Sequence, residues 1–288
     1  MFNYRDKIII VTGATGGLGR QLCFEFIKRK AKLAICSQSE EKLKILSEGI
    51  LKSGGQSIYK VVDVSVPEQV KEFVRYVLQE YGGIDVLVNN AGIATCVCFT
   101  AMEEALLKRE MGVNYFGPVY FMKEIVPCLL KRGRGQIINI SSVSAFRPLP
   151  FQSSYSASKA ALSAFTDALR TEFYNEKIDI INVYPGKVNT KFCRQEEIIG
   201  RGKNKNILGK GMDPQRAARK ILIAASKGKR VIHTHMEGRI IFLLNALFAG
   251  IFEKLLYRLK VKNQRGLTAR QSYSFIGRHK SAALDYTD

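Results

Sequence analysis

Seven short runs of apolar and β-branched residues alternate with amphipathic segments along this chain of 288 residues. The runs are Lys7–Thr12, Lys32–Cys36, Gln56–Val62, Val86–Asn89, Gln136–Ile140, Ile178–Val183 and Arg230–His233. Most are apolar throughout rather than alternating, which predicts strands buried on both faces. Between them, apolar positions recur every three or four residues over Arg20–Lys28, Glu40–Ser53, Pro67–Tyr81, Ala101–Met111, Val119–Lys131, Ser154–Asn175 and Asp213–Ser226, the pattern of helices with one buried face. Strands and helices in this order predict an α/β fold, a parallel sheet with right-handed crossovers and helices on both sides. One such core holds about 250 residues. The chain therefore divides into a single domain over 1–235, an apolar helical extension over 236–263 and a polar, basic tail over 264–288.

A sheet of this type binds ligands beyond the carboxyl ends of its strands. The polar interruptions fall there: Gly13, Asp63, Asn89-Asn90-Ala91-Gly92, Ser141-Ser142 and Pro185-Gly186 each follow a predicted strand. After the first strand comes Gly13-Ala-Thr15-Gly16-Gly17-Leu18-Gly19 and then a helix. Its glycines fit two spacings, Gly13-x-x-x-Gly17-x-Gly19 and Gly13-x-x-Gly16-x-x-Gly19. Glycines let a backbone approach a pyrophosphate closely, and the helix start offers free N–H groups. A glycine-rich turn alone marks only a tight bend; the strand before it and the helix after it favour a dinucleotide.

The chemistry is concentrated around Tyr155. Lys159 follows it by four residues, so the two share a helix face, and Ser142 precedes it by thirteen. A nearby ammonium stabilises a phenolate, drawing the phenol down from its usual value of about 10. Such a phenol exchanges a proton with a carbonyl or alcohol oxygen. Tyr-x-x-x-Lys alone is common on solvated helices. Ser142 alone would be an ordinary serine at a strand end, with Ser141 and Ser144 as neighbours that could replace it.

Taken together, Thr12-Gly13-Ala-Thr-Gly-Gly17-Leu-Gly19, Asn89-Asn90-Ala91-Gly92, Asn114 in Val-Asn-Tyr-Phe-Gly, Ser142, Tyr155-x-x-x-Lys159 and Pro185-Gly186 with Thr190 resemble the short-chain dehydrogenase/reductase family over about Lys7 to Ser226. The resemblance implies a Rossmann-type doubly wound sheet, a nicotinamide cofactor and interconversion of a carbonyl with an alcohol. It implies Tyr155 as acid/base, Lys159 as its electrostatic partner and ribose contact, Ser142 as the donor to the substrate oxygen and Asn114 as the anchor of a relay water. The cofactor contacts it implies are Gly13, Thr15, Gly16, Gly17, Leu18, Gly19, Ser37, Gln38, Asp63, Val64, Asn90, Ala91, Gly92, Pro185, Gly186, Val188 and Thr190, beside Tyr155 and Lys159. It also implies a homo-oligomer.

The cofactor's 2′ position meets Cys36-Ser37-Gln38-Ser39. An acid here would bind a free ribose diol and repel a 2′-phosphate. None is present, so NADP(H) is favoured over NAD(H), although no arginine or lysine stands at Gln38 or Gly16 to reinforce it.

The formal net charge is +20, and from Arg201 onward nineteen Lys and Arg face five Asp and Glu. No nucleic-acid-binding signature accompanies this charge, which leaves an anionic membrane surface or an acidic substrate as its match. Cysteines 23, 36, 96, 98, 128 and 193 lack metal-ligand spacing and read as reduced, buried thiols; three scattered histidines, with His233 and His235 assigned to a last strand, predict no metal site.

No apolar leader precedes Lys7, which predicts a cytoplasmic protein without a signal peptide. Ile240–Phe252 is thirteen residues long before Glu253-Lys254 and so too short for a span of ~20. With Arg258 and Lys260 behind it, this segment can lie on an anionic membrane, pack on the core or a partner subunit, or cap the substrate pocket. The glycine- and charge-rich stretch Lys187–Met212 reads as a lid. Phe146, Leu149, Pro150 and Phe151 supply an apolar wall. The expected substrate is a small hydrophobic ketone or alcohol of lipid, steroid or retinoid type, with resemblance to 3-ketosphinganine or 3-oxoacyl-carrier-protein reductases as the alternative. A non-catalytic dinucleotide sensor and a membrane-interaction module remain as readings of another class.

Overall fold

The structure, a computed structural model, describes residues 1–190, 192, 197–198, 202–203, 211–235 and 250. The apolar extension, the basic tail and most of the lid lie outside them.

The apolar runs form the strands β1 (Ile8–Thr12), β2 (Lys32–Ser37), β3 (Gln56–Val61), β4 (Val86–Asn89), β5 (Gly135–Ile140), β6 (Ile178–Tyr184) and β9 (Val231–His233). They make one sheet in the order β3-β2-β1-β4-β5-β6-β9, with every pair parallel. From β1 the chain winds outward through β2 and β3, then returns to β4 on β1's other edge. The strand order reverses between β1 and β4, and this is the switch point at which such a sheet opens a ligand crevice. Two-residue strands β7 (Glu197–Ile198) and β8 (Gly202–Lys203) pair antiparallel apart from it.

The helices are α1 (Gly17–Ile27), α2 (Glu40–Lys52), α3 (Pro67–Tyr81), α4 (Glu104–Met111), α5 (Gly117–Arg132), α6 (Ser153–Glu172) and α7 (Pro214–Ser226). Strand side chains alternate between faces. Ile9 and Val11 join Leu22, Phe26, Leu43 and Leu222 in a core under α1, α2 and α7. Ile8 and Ile10 join Val70, Phe73, Phe121 and Leu162 under α3, α5 and α6. The rings of Phe73 and Phe121 pack edge to face with centroids 6.3 Å apart, and truncating either to alanine should cost about 3–5 kcal/mol. Ser39 caps α2 by accepting from Lys42 N, and Asp213 caps α7 by accepting from Arg216 N at 2.8 Å.

One expected element is corrected. The predicted helix Ala101–Met111 begins later, after a 3-10 turn at Phe99–Ala101, and it does not stop before Val119. A single π-turn at Gly112–Phe116 carries α4 into α5. Gly112, Asn114 and Gly117-Pro118 look like a break in sequence. Pro118 has no N–H, so the carbonyl of Asn114 lacks the donor that an α-helix would place four residues on. The backbone widens instead, with Gly117 N reaching back to Gly112 O.

Candidate active site

The glycine turn sits at the β1/β4 switch point. Gly13 has φ +58°, and a Cβ there would lie 2.7 Å from Ala91 Cα, so the position needs glycine twice over. Thr12 Oγ1 accepts from both Asn90 N and Ala91 N at 3.0 Å, while Asn90 Nδ2 donates to the carbonyls of Thr12 and Gly13 at 3.0 Å each. Asn90 is thereby committed to fastening the turn to β4. Gly16 caps α1 without a side-chain hydrogen bond, and no acid stands in the first turn. The first N–H groups of α1 are left for an anion such as a pyrophosphate, which fits a dinucleotide. Thr15 is half-buried, and Leu18 packs down on the core.

At the end of β2, Ser37 is buried and its Oγ accepts from Ser39 N at 3.4 Å. Gln38 is exposed and donates one amide hydrogen to Asp63 Oδ2 at 3.0 Å. Asp63 also accepts from Ser65 N and Ser65 Oγ. Burial pushes the Asp63 carboxyl up, but the bonds from Ser65 and Gln38 with the charge of Arg109 outweigh it and hold the acid below its ordinary value. Val64 is buried against Gly117, so its side chain belongs to the core.

The catalytic candidates come from β5, α6 and the π-turn. Tyr155 is 7% and Lys159 3% exposed, on the face of α6 that covers the end of β5. Lys159 Nζ donates to Ile140 O at 2.9 Å, two residues before Ser142. Burial lowers the Lys159 ammonium to about 8. The ring of Tyr155 stands 6.1 Å from that of Phe192. Ser141 and Ser142 separate cleanly. Ser141 Oγ is used in the β5–α6 seam, with Lys159 O at 3.1 Å and Ser163 Oγ at 2.7 Å. Ser142 Oγ accepts from Ser144 N at 3.1 Å, and its own hydrogen has no acceptor among the described residues.

Asn114 is fully buried, and its side chain is spent: Oδ1 accepts from Ile93 N at 2.9 Å, and Nδ2 donates to Ile93 O at 2.9 Å and Ser158 Oγ at 3.0 Å. The α-helical donor to the Asn114 carbonyl would be the N–H four residues on, which Pro118 lacks. Gly92 lies against Asn114 and Lys159.

After β6, Pro185 O accepts from Val143 N, and Gly186 N donates to Thr234 Oγ1 at 3.2 Å. A Cβ on Gly186 would stand 2.6 Å from His235 Nδ1. Val188 bridges to Met212, and a Cβ on Gly17 would meet Thr190 Cγ2 at 2.5 Å. The segment after β6 therefore folds back onto the glycine turn. His233 ends β9, whereas His235 lies two residues beyond it. Phe146 turns toward Tyr184 and His233, and Phe151 packs with Cys96 and Cys98. Cys23, Cys36, Cys96 and Cys98 are buried and Cys128 is half-buried; Cys193 lies outside the described residues.

Sequence reasoning missed the bonding roles of Thr12 and Ser158, and it missed Glu110, which reads as one more charge on a solvated helix and is instead fully buried. A charged cleft of about 660 Å³ between α1 and α7, lined by Glu25, Lys28, Arg29, Arg216 and Arg219, shares no residue with this site.

Residues 7–198 match the family model described as short chain dehydrogenase. "Dehydrogenase/reductase SDR family member 7B" of Bos taurus is 31% identical over 264 residues, covering 88% of this chain and 81% of that protein. "11-beta-hydroxysteroid dehydrogenase A" of Sesamum indicum is 32% identical over 235 residues, covering 81% of this chain and 66% of that protein. Among solved structures, a short chain dehydrogenase/reductase from Burkholderia phymatum in complex with NAD superposes with a TM-score of 0.79 at 21% identity, covering 88% of this chain and 97% of that one. The last likeness bears on the fold.

Proposed function

We propose, from the premise that the chain belongs to the short-chain dehydrogenase/reductase family and is an NAD(P)-dependent enzyme acting on CH–OH and C=O groups, that it interconverts a hydrophobic ketone and its secondary alcohol, with Tyr155 as acid/base and NADP(H) as the preferred cofactor. One observation carries the assignment of roles: the Lys159 ammonium is buried, one helical turn beyond Tyr155 and bonded to Ile140 O just before Ser142.

The glycine turn, the first turn of α1, Ser37, Gln38, Asp63 and the segment through Thr190 would hold the cofactor. Its chemistry when bound is hydride transfer to the carbonyl carbon. As negative charge grows on the carbonyl oxygen, the Ser142 hydroxyl donates a hydrogen bond to it. The Tyr155 phenol gives up its proton to the same oxygen, and the product is the neutral alcohol. The phenolate left behind is stabilised by the Lys159 charge. Its proton returns by way of water held at the Asn114 carbonyl. Oxidation runs the same transfers backward.

The half-buried apolar residues Leu149, Pro150 and Phe151 just before α6 support a lipid-, steroid- or retinoid-like substrate, and the likeness to a hydroxysteroid dehydrogenase points the same way. The test is NADPH oxidation against a panel of apolar ketones, with Tyr155→Phe as the control. Turnover should drop by at least ~10²-fold in that variant while NADPH still binds. Undiminished turnover would remove Tyr155 from the mechanism.

A further inference from the structure

Two helices carry matched pairs four residues apart. On the run through α4 and the π-turn these are Glu110 and Asn114; on α6 they are Ser154 and Ser158, each immediately before a member of the acid/base pair, Tyr155 and Lys159. Asn114 links Ser158 to the backbone of Ile93. Glu110 repeats the arrangement one turn earlier: one carboxylate oxygen accepts from Thr95 N at 2.6 Å, and the other accepts from Ser154 Oγ. The result is a two-rung ladder that ties the loop after β4 to the first two turns of α6. Val97 N bonded to Phe151 O at 2.8 Å and Gln152 Nε2 to Cys96 Sγ at 3.3 Å close the same seam.

We propose that Glu110 is a positioning residue, which fixes the phenol of Tyr155 by holding Ser154 and Thr95 in register. This rests on the proposed role of Tyr155 as acid/base. A carboxylate that is 0% exposed is costly to bury, and a helix position facing this seam would ordinarily be apolar. The bond from Ser154 lies at the N-terminal turn of α6, where the first N–H groups have no intrahelical partner and Gln152 makes no side-chain cap, and the bond from Thr95 lies on the loop after β4. Without Glu110, Ser154 loses its bond across the seam, and the loop through Thr95 loses one of its ties to the start of α6. A rate that depends on an aligned proton donor is sensitive to such slack.

The chemistry dictates the variants. In Glu110→Gln the amide oxygen still accepts from Thr95 N, and the amide nitrogen donates to Ser154 Oγ, which reverses its role. Glu110→Ala removes both bonds, and Ser154→Ala removes one with little change in volume. The measurements are kcat and KM for benzil, NADPH dissociation by fluorescence, melting temperature, and the NMR signals of ring-labelled tyrosine, with the Tyr155 signal assigned by its absence in Tyr155→Phe. Glu110→Ala should lower kcat about 10- to 100-fold with the NADPH dissociation constant within twofold of wild type. Glu110→Gln should restore kcat to within about threefold. Adding Ser154→Ala to Glu110→Ala should lower kcat no further, because the bond that Ser154→Ala removes is already lost in Glu110→Ala. The Tyr155 ring signal should shift or broaden in Glu110→Ala and Ser154→Ala but not in Glu110→Gln. A Glu110→Ala or Ser154→Ala protein with a lower melting temperature but wild-type kcat per folded molecule, or an unaltered Tyr155 ring signal, overturns the proposal. If Glu110→Ala does not fold, Ser154→Ala decides by the same two readouts. Failure of the underlying reading looks different: wild-type protein would bind and oxidise no NADPH, while the ring signal would still report on Glu110.

Discussion

Gly92 leaves the space that Lys159 occupies: a Cβ added there would stand 3.4 Å from Lys159 Nζ and 3.2 Å from Asn114 Oδ1. The backbone of Gly92 is not in the left-handed region, so conformational freedom is not the reason for glycine here. The reason is proximity to the two side chains that anchor α6. In Gly92→Ala the Asn114 amide must give by a few tenths of an ångström, straining its paired bonds to Ile93. Overpacking of this kind costs about 1–3 kcal/mol. The variant should fold with a lowered melting temperature and turn over about tenfold more slowly at saturating cofactor. Steady-state kinetics alongside a melting curve check both.

Lys159 makes two predictions of pH dependence, both from its burial-lowered value of about 8. If its charge assists the phenol, kcat for reduction should fall as pH rises through about 8 and the ammonium is lost. Stability runs the other way. The unfolded lysine titrates near 10.4, so below about 8 both states carry the proton and the full cost of burying the charge is present. Between those values the native state releases its proton first, and stability should rise with pH. Lys159→Met keeps the length of the side chain without the charge. Its melting temperature should exceed that of wild type at pH 7, with a margin that narrows above pH 8, while its turnover should be down ~10²-fold or more. A margin independent of pH would show that the ammonium is not what burial penalises.

Neighbouring serines at the end of β5 should differ in turnover. Ser141→Ala deletes buried bonds to Lys159 O and Ser163 Oγ. It should cost about 1 kcal/mol of stability and leave kcat within a few-fold. Ser142→Ala removes the acceptor for Ser144 N and should also cost about 1 kcal/mol, but here the lost hydroxyl hydrogen is the one without a described partner, so turnover should fall about 10²-fold. Thermal melts and kinetics on the pair give the comparison.

The strands were plain in the sequence because β1, β2, β4, β5 and β6 are buried almost throughout, and their few polar residues, such as Gln136, Asn139 and Asn182, are themselves buried and do not impose an alternating pattern. Helix ends were harder. Ser153–Glu172 stops three residues before the expected end, where Asn175 and its neighbours turn away toward β6. The π-turn could not be found by periodicity, since a five-residue widening breaks the spacing that defines a helix in sequence. Pro118 and the glycines at 112 and 117 were its written signs, and they read as a break rather than a widened turn. At the site, residue types at fixed spacing and the family resemblance named Ser142, Tyr155 and Lys159, and the structure bonds Lys159 to Ile140 O at the end of β5. Asn90 was expected as a cofactor contact; that its Nδ2 donates to the Thr12 and Gly13 carbonyls depends on β1 lying beside β4 and was not legible in the sequence. Glu110 was invisible for the same kind of reason: its partners Thr95 and Ser154 are 15 and 44 residues away.

Cofactor choice follows from what surrounds the end of β2. Ser37, Gln38 and Ser39 place no carboxylate there. Asp63, the acid nearest in the fold, already accepts from Gln38 and Ser65 and is held ionised below its ordinary range. The groups left for a 2′-substituent are the hydroxyls of Ser37 and Ser39 and the second amide hydrogen of Gln38, all donors to phosphate. NADPH should therefore be used with a higher kcat/KM than NADH. Ser37→Asp adds an acceptor for a free ribose hydroxyl and repulsion toward a 2′-phosphate, and it should reverse the order. Because Ser37 is buried, the new carboxylate gains from a bound diol what it cannot recover from water, so the change should appear mainly in KM for NADPH. Equal or better use of NADH by the unmodified protein would sink the preference, and the hydrogen bond between Gln38 and Asp63 would then be the first place to look for the cause.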